Sequence, residues 1–486
     1  MNDAVRFGVV ILLVSGALVG AVLSNRLSER IRVPAPALFL VIASLLATRF
    51  PELRSVPILT DERIVTVALI FILFDGGLQI GWPEFRRSAG VVLWLGVVGT
   101  FVTAAALSVA AHTLFGFGWL LALLLGTALA PTDPAMVFSV LGNREISGRT
   151  DTILKGESGA NDPVGIALMA VLLTVGGTGL QSVAQGAGIF ALQMGVGAVV
   201  GLVGGYLLVL FMRHVPLPNE ALYPVRTLAC AAAIYGAAAV LHGSGFLAVL
   251  LAGIVAGDAR APYKREIEKF SSGVSSLAEI IVFAVLGLTV DLGAVVRSDM
   301  LWIGLATAAL LILVVRPLLV GLLMLPVDLQ RGEKVFVLWA GLKGAVPILL
   351  GMFALEAGVD GAHRLYGVVF VVVLVSAVAQ GGLVPAMARW LRVPMRNVEL
   401  EPWSLGMRFR TEPDGLQRHF VAAGSPADGC TIADLDLGED AWISMVSRSG
   451  QLVRVHGGTA LQPGDEVLAI GRPTADLRRL FEGPQG

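Results

Sequence analysis

Over residues 1–390 the apolar positions fall in uninterrupted runs of about 20, with polar positions collected in short intervals between them. A helix rises about 1.5 Å per residue and the hydrocarbon core of a bilayer is about 30 Å thick, so each run is long enough to span it. About thirteen candidate helices follow, at 5–24, 33–49, 64–81, 89–113, 117–141, 152–176, 184–212, 222–241, 243–257, 272–291, 299–325, 333–356 and 363–388. The first run follows Met1–Arg6 without a basic leader or an A-x-A site, which predicts a membrane helix rather than a cleaved signal.

Beyond Trp390 the pattern changes. Pro394, Pro402 and Pro413 mark a linker over 391–414, and 415–486 read as a small soluble α+β module. Period-two segments predict strands at Arg418–Ala423, Ala441–Arg448, Gln451–Val455 and Glu466–Gly471, with a hairpin turn at Ser449-Gly450 and a short helix at Thr474–Phe481.

An odd helix count allows two six-helix units of opposite orientation, joined by the seventh helix. Corresponding helices are then seven apart, and inverted repeats of this kind place broken helices near the bilayer midplane. The fifth span is interrupted by Pro131-Thr132-Asp133-Pro134 and the twelfth by Gly341-Leu342-Lys343-Gly344-Ala345-Val346-Pro347. The expected fold class is therefore an all-α polytopic membrane protein, with broken helices five and twelve.

Composition agrees with this picture and narrows it. The chain is 56% hydrophobic and 15% charged, with a mean hydropathy of +0.80, which excludes an ordinary soluble protein. Lipid is the expected surrounding. A net charge of -1 offers no basic surface for nucleic acid. Cys230 and Cys430 are far apart and suggest neither a disulfide framework nor a metal cluster. Lys and Arg collect in one set of alternate loops (Arg26, Arg86, Arg144, Arg213, Lys264 and Arg331 among them), roughly sixteen against six on the other side. That bias predicts an N-terminus outside and a C-terminus in the cytoplasm.

An ionisable side chain inside a membrane costs free energy unless it is paired or hydrated, so such residues mark function. Asp75, Asp133, Glu157, Asp162, Glu279, Arg316 and Lys343 lie within predicted spans. On the sixth span Glu157 and Asn161, and likewise Ser158 and Asp162, are four residues apart and share adjacent helical stripes. Asp162, Ser158, Asp133 and Thr132 then supply the oxygens that a partly dehydrated cation needs. A carboxylate in such a place also takes a proton, so H⁺ and metal compete for Asp162. Glu157 and Lys343 are expected to form a buried ion pair. Asp75 and Glu279 are expected either to line the pathway or to bond across helix interfaces, and Arg316 to cap carbonyls freed by the kink at Pro317.

Thr132-Asp133-Pro134, Glu157-Ser158-x-x-Asn161-Asp162 and the run from Gly341 to Pro347 resemble the monovalent cation/proton antiporters of the NhaP-like branch, over nearly all of residues 5–390. The resemblance implies a multi-pass protein of the cell's inner membrane that exchanges K⁺ or Na⁺ for H⁺. It implies cation and proton binding at Asp162, helped by Asp133, Thr132 and Ser158, with Asn161, Glu157 and Lys343 in support. It further implies a homodimer, and Asn161 in place of a second Asp implies electroneutral exchange. The sequence departs from the family at Lys343, where Arg is usual as the partner of the residue matching Glu157. The tail, through Gly424-Ser425-Pro426 and Leu461-Gln462-Pro463-Gly464-Asp465, resembles the ligand-binding C-terminal half of potassium-conductance regulatory domains. That favours K⁺ and implies an unidentified cytoplasmic ligand; no other cofactor is expected.

Two other classes compete with this reading. Gly156-Glu157-Ser158-Gly159 fits the G-x-S-G of intramembrane serine proteases, which need a histidine base, but His112, His214, His242, His363, His419 and His456 fall in loops, helix ends or the tail. A gated channel would need a filter-like repeat, and none is apparent in the sequence.

Overall fold

The structure is a computed structural model that describes residues 34–50, 57–141, 144–146, 148–175, 180–397, 416–435, 437, 441–448, 451–470 and 480–481. The chain divides into two compact units, Met1–Pro402 and Trp403–Gly486. In the first unit the helices are α1 (Ala35–Arg49), α2 (Ile58–Ile80), α3 (Trp82–Phe115), α4 (Trp119–Leu129), α5 (Ala135–Leu141), α6 (Arg149–Val175), α7 (Leu180–His214) and α8 (Leu222–Val240). They continue as α9 (Gly245–Gly257), α10 (Lys264–Leu288), α11 (Leu292–Arg297), α12 (Met300–Leu323), α13 (Arg331–Trp339), α14 (Ala345–Glu356) and α15 (Ala362–Trp390). Eight of the described helices are long and apolar enough to cross a membrane, and four shorter apolar ones (α1, α4, α9 and α14) accompany them. Twelve of the thirteen predicted spans coincide with helices of this set; the span predicted at 5–24 lies outside the described residues.

Small residues let these helices approach closely. Gly197, Gly201 and Gly205 recur every four residues along one stripe of α7, where a Cβ would press on Ser244, Ala248 and Ala252 at or in α9. On the other side of α9, Gly253 and Gly257 meet α2 at Phe74, Gly77 and Leu78. Where lipid is the solvent, such close backbone packing supplies the association that water-driven burial supplies elsewhere.

The two predicted interruptions are real breaks. α4 ends at Leu129 and α5 begins at Ala135, with Pro131 and Pro134 in the gap, because proline can neither donate to the preceding turn nor fit against it. α13 ends at Trp339 and α14 begins at Ala345, across Gly341-Leu342-Lys343-Gly344. The breaks touch: the Asp133 N–H donates to the Leu342 carbonyl at 2.8 Å.

A feature absent from the sequence reading is a two-stranded antiparallel ladder between β1 (Arg144–Ile146) and β2 (Met395–Asn397), which joins the loop before α6 to the end of this unit. In the second unit β3 (Leu416–Phe420), β4 (Trp442–Arg448), β5 (Gln451–Val453) and β6 (Glu466–Ile470) form one antiparallel sheet in the order β3-β6-β4-β5. Its core holds Val421, Ala427, Val446, Leu461, Val467 and Phe481. The predicted hairpin residues Ser449-Gly450 and most of the predicted terminal helix lie outside the described residues.

Candidate ion-binding site

The site is built where the two broken helices cross in front of α6. At the crossing, the Lys343 ammonium donates to the carbonyls of Ala130 (2.9 Å) and Pro131 (2.8 Å), the groups left unpaired at the C-terminal end of α4. A cation there also offsets the negative end of the helix dipole. Asp133 stands at the opposite pole. Its Oδ1 accepts from the Ala135 N–H at 2.9 Å, capping α5. A Cβ placed on Gly344, just before α14, would collide with the Asp133 carboxylate, so that carboxylate also sits against the start of α14. The discontinuity thus holds one positive and one negative side chain, each facing the backbone dipoles of opposite sign. Behind Lys343, its own N–H donates to Ser376 Oγ at 3.0 Å, and Ser376 Oγ donates to Gln380 Oε1 at 2.8 Å.

α6 closes the site with three hydrogen bonds onto Thr132. Ser158 Oγ donates to the Thr132 carbonyl at 2.6 Å, Asn161 Nδ2 donates to Thr132 Oγ1 at 2.7 Å, and the Thr132 N–H donates to Asn161 Oδ1 at 3.3 Å. One turn from Ser158, Asp162 is buried, and its Oδ1 has no hydrogen-bond partner. A cavity of about 40 Å³ lies against it, lined also by Thr132, Asp133, Glu279 of α10 and Ala345-Val346-Pro347 of α14. One water needs about 10–15 Å³ by such a measure, so the space admits a small hydrated or partly dehydrated species. Glu279 Oε1 is likewise buried without a partner. Among the described residues no group of three or more His, Cys, Asp or Glu side chains stands close enough to hold a metal ion. A cation here would meet a mixed set of carboxylate, hydroxyl and carbonyl oxygens, as a weakly charged ion does.

This geometry has known relatives. The family described as "Sodium/hydrogen exchanger, transmembrane" matches residues 13–390, more than half of the chain. The chain belongs to that family. A second match, to the TrkA-C domain, covers residues 416–482 of this family member. The chain is 35% identical over 383 residues to the K(+)/H(+) antiporter NhaP of Alkalimonas amylolytica, across 77% of its own length and 65% of that relative's. It is 33% identical over 476 residues to the K(+)/H(+) antiporter NhaP2 of Shewanella sp. (strain MR-4), across 94% and 80% of the two chains. Identity to the Na(+)/H(+) antiporter NhaH of Halobacillus dabanensis is 28% over 358 residues, across 68% and 86%. The fold matches the sodium proton antiporter MjNhaP1 of Methanocaldococcus jannaschii with a TM-score of 0.65 at 22% identity, covering 78% of this chain and all of that one.

In this family member Asp162, Asp133 and Thr132 share one cavity, as their motif spacing suggests, whereas Ser158 does not line it and instead secures the Thr132 carbonyl. Because Ser158 Oγ donates to that carbonyl and not to an imidazole, the serine-protease alternative has no catalytic pair. Asn161 acts as a two-point clamp on Thr132.

The expected Glu157–Lys343 pair requires correction. Glu157 Oε1 pairs with Arg316 Nη2 at 3.1 Å, and both side chains are buried. Lys343 is turned to the α4 carbonyls instead, because two buried backbone acceptors at a helix end are a stronger claim on an ammonium than a carboxylate already served by a guanidinium. Arg316 does cap carbonyls, but those of Val337 (3.2 Å, from Nη2) and Leu338 (3.0 Å, from Nε) at the end of α13, not those of its own kinked helix. Asp75 accepts from Gln79 Nε2 one turn along its own helix at 2.8 Å and, across the helix interface, from Ser272 Oγ of α10 at 3.0 Å. Glu279, which the sequence left undecided together with Asp75, falls in the cavity.

Proposed function

We propose that this chain is a secondary antiporter that exchanges a monovalent cation, K⁺ in preference to Na⁺, for H⁺, with Asp162 alternately carrying the cation and the proton. The observation that carries the reading is a buried Asp162 oxygen without a protein partner, beside a cavity shared with Asp133 and Thr132 at the crossing of two broken helices. Lys343 and Asp133 satisfy the interrupted backbone, which leaves the Asp162 charge to be met by whichever ion enters. With either H⁺ or a cation bound, the site is neutral and can change sides; with neither, it holds a bare buried carboxylate and is held back. Competition for one carboxylate then couples the two fluxes. The names of the relatives at 33–35% identity support K⁺, and NhaH keeps Na⁺ as the second candidate.

Further parts of the proposal are electroneutral one-for-one exchange, because Asn161 replaces a second carboxylate beside Asp162, a homodimer in the inner membrane, an outside N-terminus, and a cytoplasmic tail that senses a small ligand. Dequenching in everted vesicles with K⁺, Na⁺ and Li⁺ added separately tests the ion. Recovery of the dye signal by K⁺ at lower concentration than by Na⁺ is expected, with the K⁺ concentration for half-response rising as the pH falls. A response that is independent of Asp162, or a rate in proteoliposomes that follows an imposed voltage, would overturn the mechanism or its stoichiometry respectively.

A further inference from the structure

If α13 ran on without a break, the Lys343 N–H would donate to the Trp339 carbonyl four residues back, as in any α-helix. In the structure that N–H goes instead to Ser376 Oγ of α15 at 3.0 Å. Ser376 Oγ donates to Gln380 Oε1 at 2.8 Å, and Gln380 Nε2 donates to the Trp339 carbonyl. Two side chains of α15 thus stand in the place of one helical hydrogen bond. Both are buried, Ser376 at 1% and Gln380 at 3% exposure, and neither lines the ion cavity. They are the first and last residues of a π turn within α15, a local widening common at functional sites.

The direction of this chain of bonds is fixed by its ends. A carbonyl can only accept and a backbone N–H can only donate, so the Gln380 amide must turn its nitrogen to Trp339 and its oxygen to Ser376. The one hydroxyl proton of Ser376 then has to go to that oxygen. α15 is held against the break on either side of these bonds: Trp339 Nε1 donates to the Gln380 carbonyl at 3.3 Å, and a Cβ on Gly381 would lie 3.6 Å from Leu342 Cδ1. The far end of the chain is in the ion site. The residue whose N–H is diverted also sends its ammonium to the carbonyls of Ala130 (2.9 Å) and Pro131 (2.8 Å). Pro131 precedes Thr132 and Asp133, two residues of the cavity wall. Lys343 is 1% exposed, so its side chain is packed in place and follows its backbone.

We propose that Ser376 and Gln380 are positioning residues for the exchange: they hold the α13–α14 break open and so keep Lys343 where its ammonium fixes Pro131, and with it Thr132 and Asp133, at the spacing a bound cation requires. The inference rests on the cation site proposed above and adds the residues that set its geometry from outside. Without either side chain the Lys343 N–H and the Trp339 carbonyl are free to pair with each other. α13 then extends into the break and carries Lys343 round with it, away from the α4 carbonyls. Little stability is lost by that closure, because the two freed backbone groups satisfy one another. The cost falls on the cavity wall, which loses its anchor at Pro131.

The test compares the full-length wild type with Ser376→Ala, Gln380→Leu and the double variant, measuring exchange in everted vesicles over a range of K⁺ concentrations and the thermal unfolding of each purified protein. Each single variant should raise the K⁺ concentration for half-response about tenfold, the equivalent of one lost hydrogen bond at the site, with the maximal rate and the unfolding temperature little changed. The double variant should be no worse than either single one, because both act through the same chain of bonds. Ser376→Thr, which keeps the hydroxyl, should restore the wild-type half-response. A lowered unfolding temperature with an unchanged half-response would mean that the pair only supports the fold. Effects that add in the double variant would mean two separate contacts, and a Ser376→Thr protein as impaired as Ser376→Ala at the same unfolding temperature would mean that the hydroxyl is not the link. Each of these outcomes overturns the proposal. Failure of the cation-site reading itself is recognised separately, by exchange that survives Asp162→Asn.

Discussion

Asp162 and Glu279 each bring a buried oxygen without a partner to the cavity, whereas Asp133 caps a helix, Asp75 is met by Gln79 and Ser272, and Glu157 is met by Arg316 through one of its two oxygens. Substitution of Asp162 by Asn removes the charge that binds both ions and leaves a neutral amide of the same shape. Asp162→Asn is expected to reduce exchange in vesicles at least a hundredfold while the purified protein unfolds at the same temperature or higher, since no native ion pair is broken. Glu157→Gln should behave in the opposite way. It strands the buried Arg316 guanidinium, and removing one partner of a buried pair costs about 3–5 kcal/mol. Thermal unfolding should therefore fall sharply in that variant and recover in part in Glu157→Gln/Arg316→Met, where the stranded charge is gone. Sequence spacing could place Asp162, Asn161 and Thr132 together, because their motifs lie on adjacent elements. It could not choose between Arg316 and Lys343 for Glu157: both are basic residues far away in sequence, and only the position of the α13–α14 break decides which is already engaged with backbone.

Helical elements were legible to the extent that lipid demands continuity. The predicted span at 222–241 is α8, 243–257 is close to α9, and 299–325 is close to α12. Errors occur where charged residues sit on a helix end. Asp61, Glu62 and Arg63 hid the first turns of α2, and the polar stretch from Lys264 hid two turns of α10, because hydropathy stops at the first charge while the backbone does not. The β1–β2 ladder was invisible for another reason: strands of three residues paired across most of the unit leave no local period. Gly344 is the element-scale position that the run Gly341–Pro347 did mark. Its φ is negative, so its requirement is space, not a left-handed turn, and a Cβ there would overlap the Asp133 carboxylate. Gly344→Ala is expected to push the two breaks apart and cut exchange tenfold or more with normal membrane insertion, which vesicle transport and quantitative immunoblotting of the same membranes would measure together.

At the scale of the whole molecule, the membrane unit holds its charges by pairing them with backbone and with each other, while the second unit fixes a turn with a pair whose Arg448 end alone is partly open to water. Asp465, fully buried after the turn at Gly464, accepts from Arg448 Nε and Nη2 at 2.8 Å each and from the Gln462 N–H at 2.8 Å, which locks β4 to the start of β6. Burial by itself would push this carboxyl up, but the hydrogen bonds from Arg448 and Gln462 and the guanidinium charge together hold it below the usual carboxylate range. A depressed folded-state value means that the unfolded chain binds the proton more readily. The contribution is therefore complete at neutral pH, begins to fade as the pH falls below about 3.9, and is gone once it has passed the depressed folded value. Hydrogen exchange of Glu466–Ile470 in the full-length protein should accordingly be slower in the wild type than in Asp465→Asn at pH 7, with the two rates drawing together as the pH is lowered through that range. Equal rates at pH 7 would mean that the turn is held by Gly464 and its backbone bonds alone, and that the Arg448 pair contributes nothing to the tail's stability.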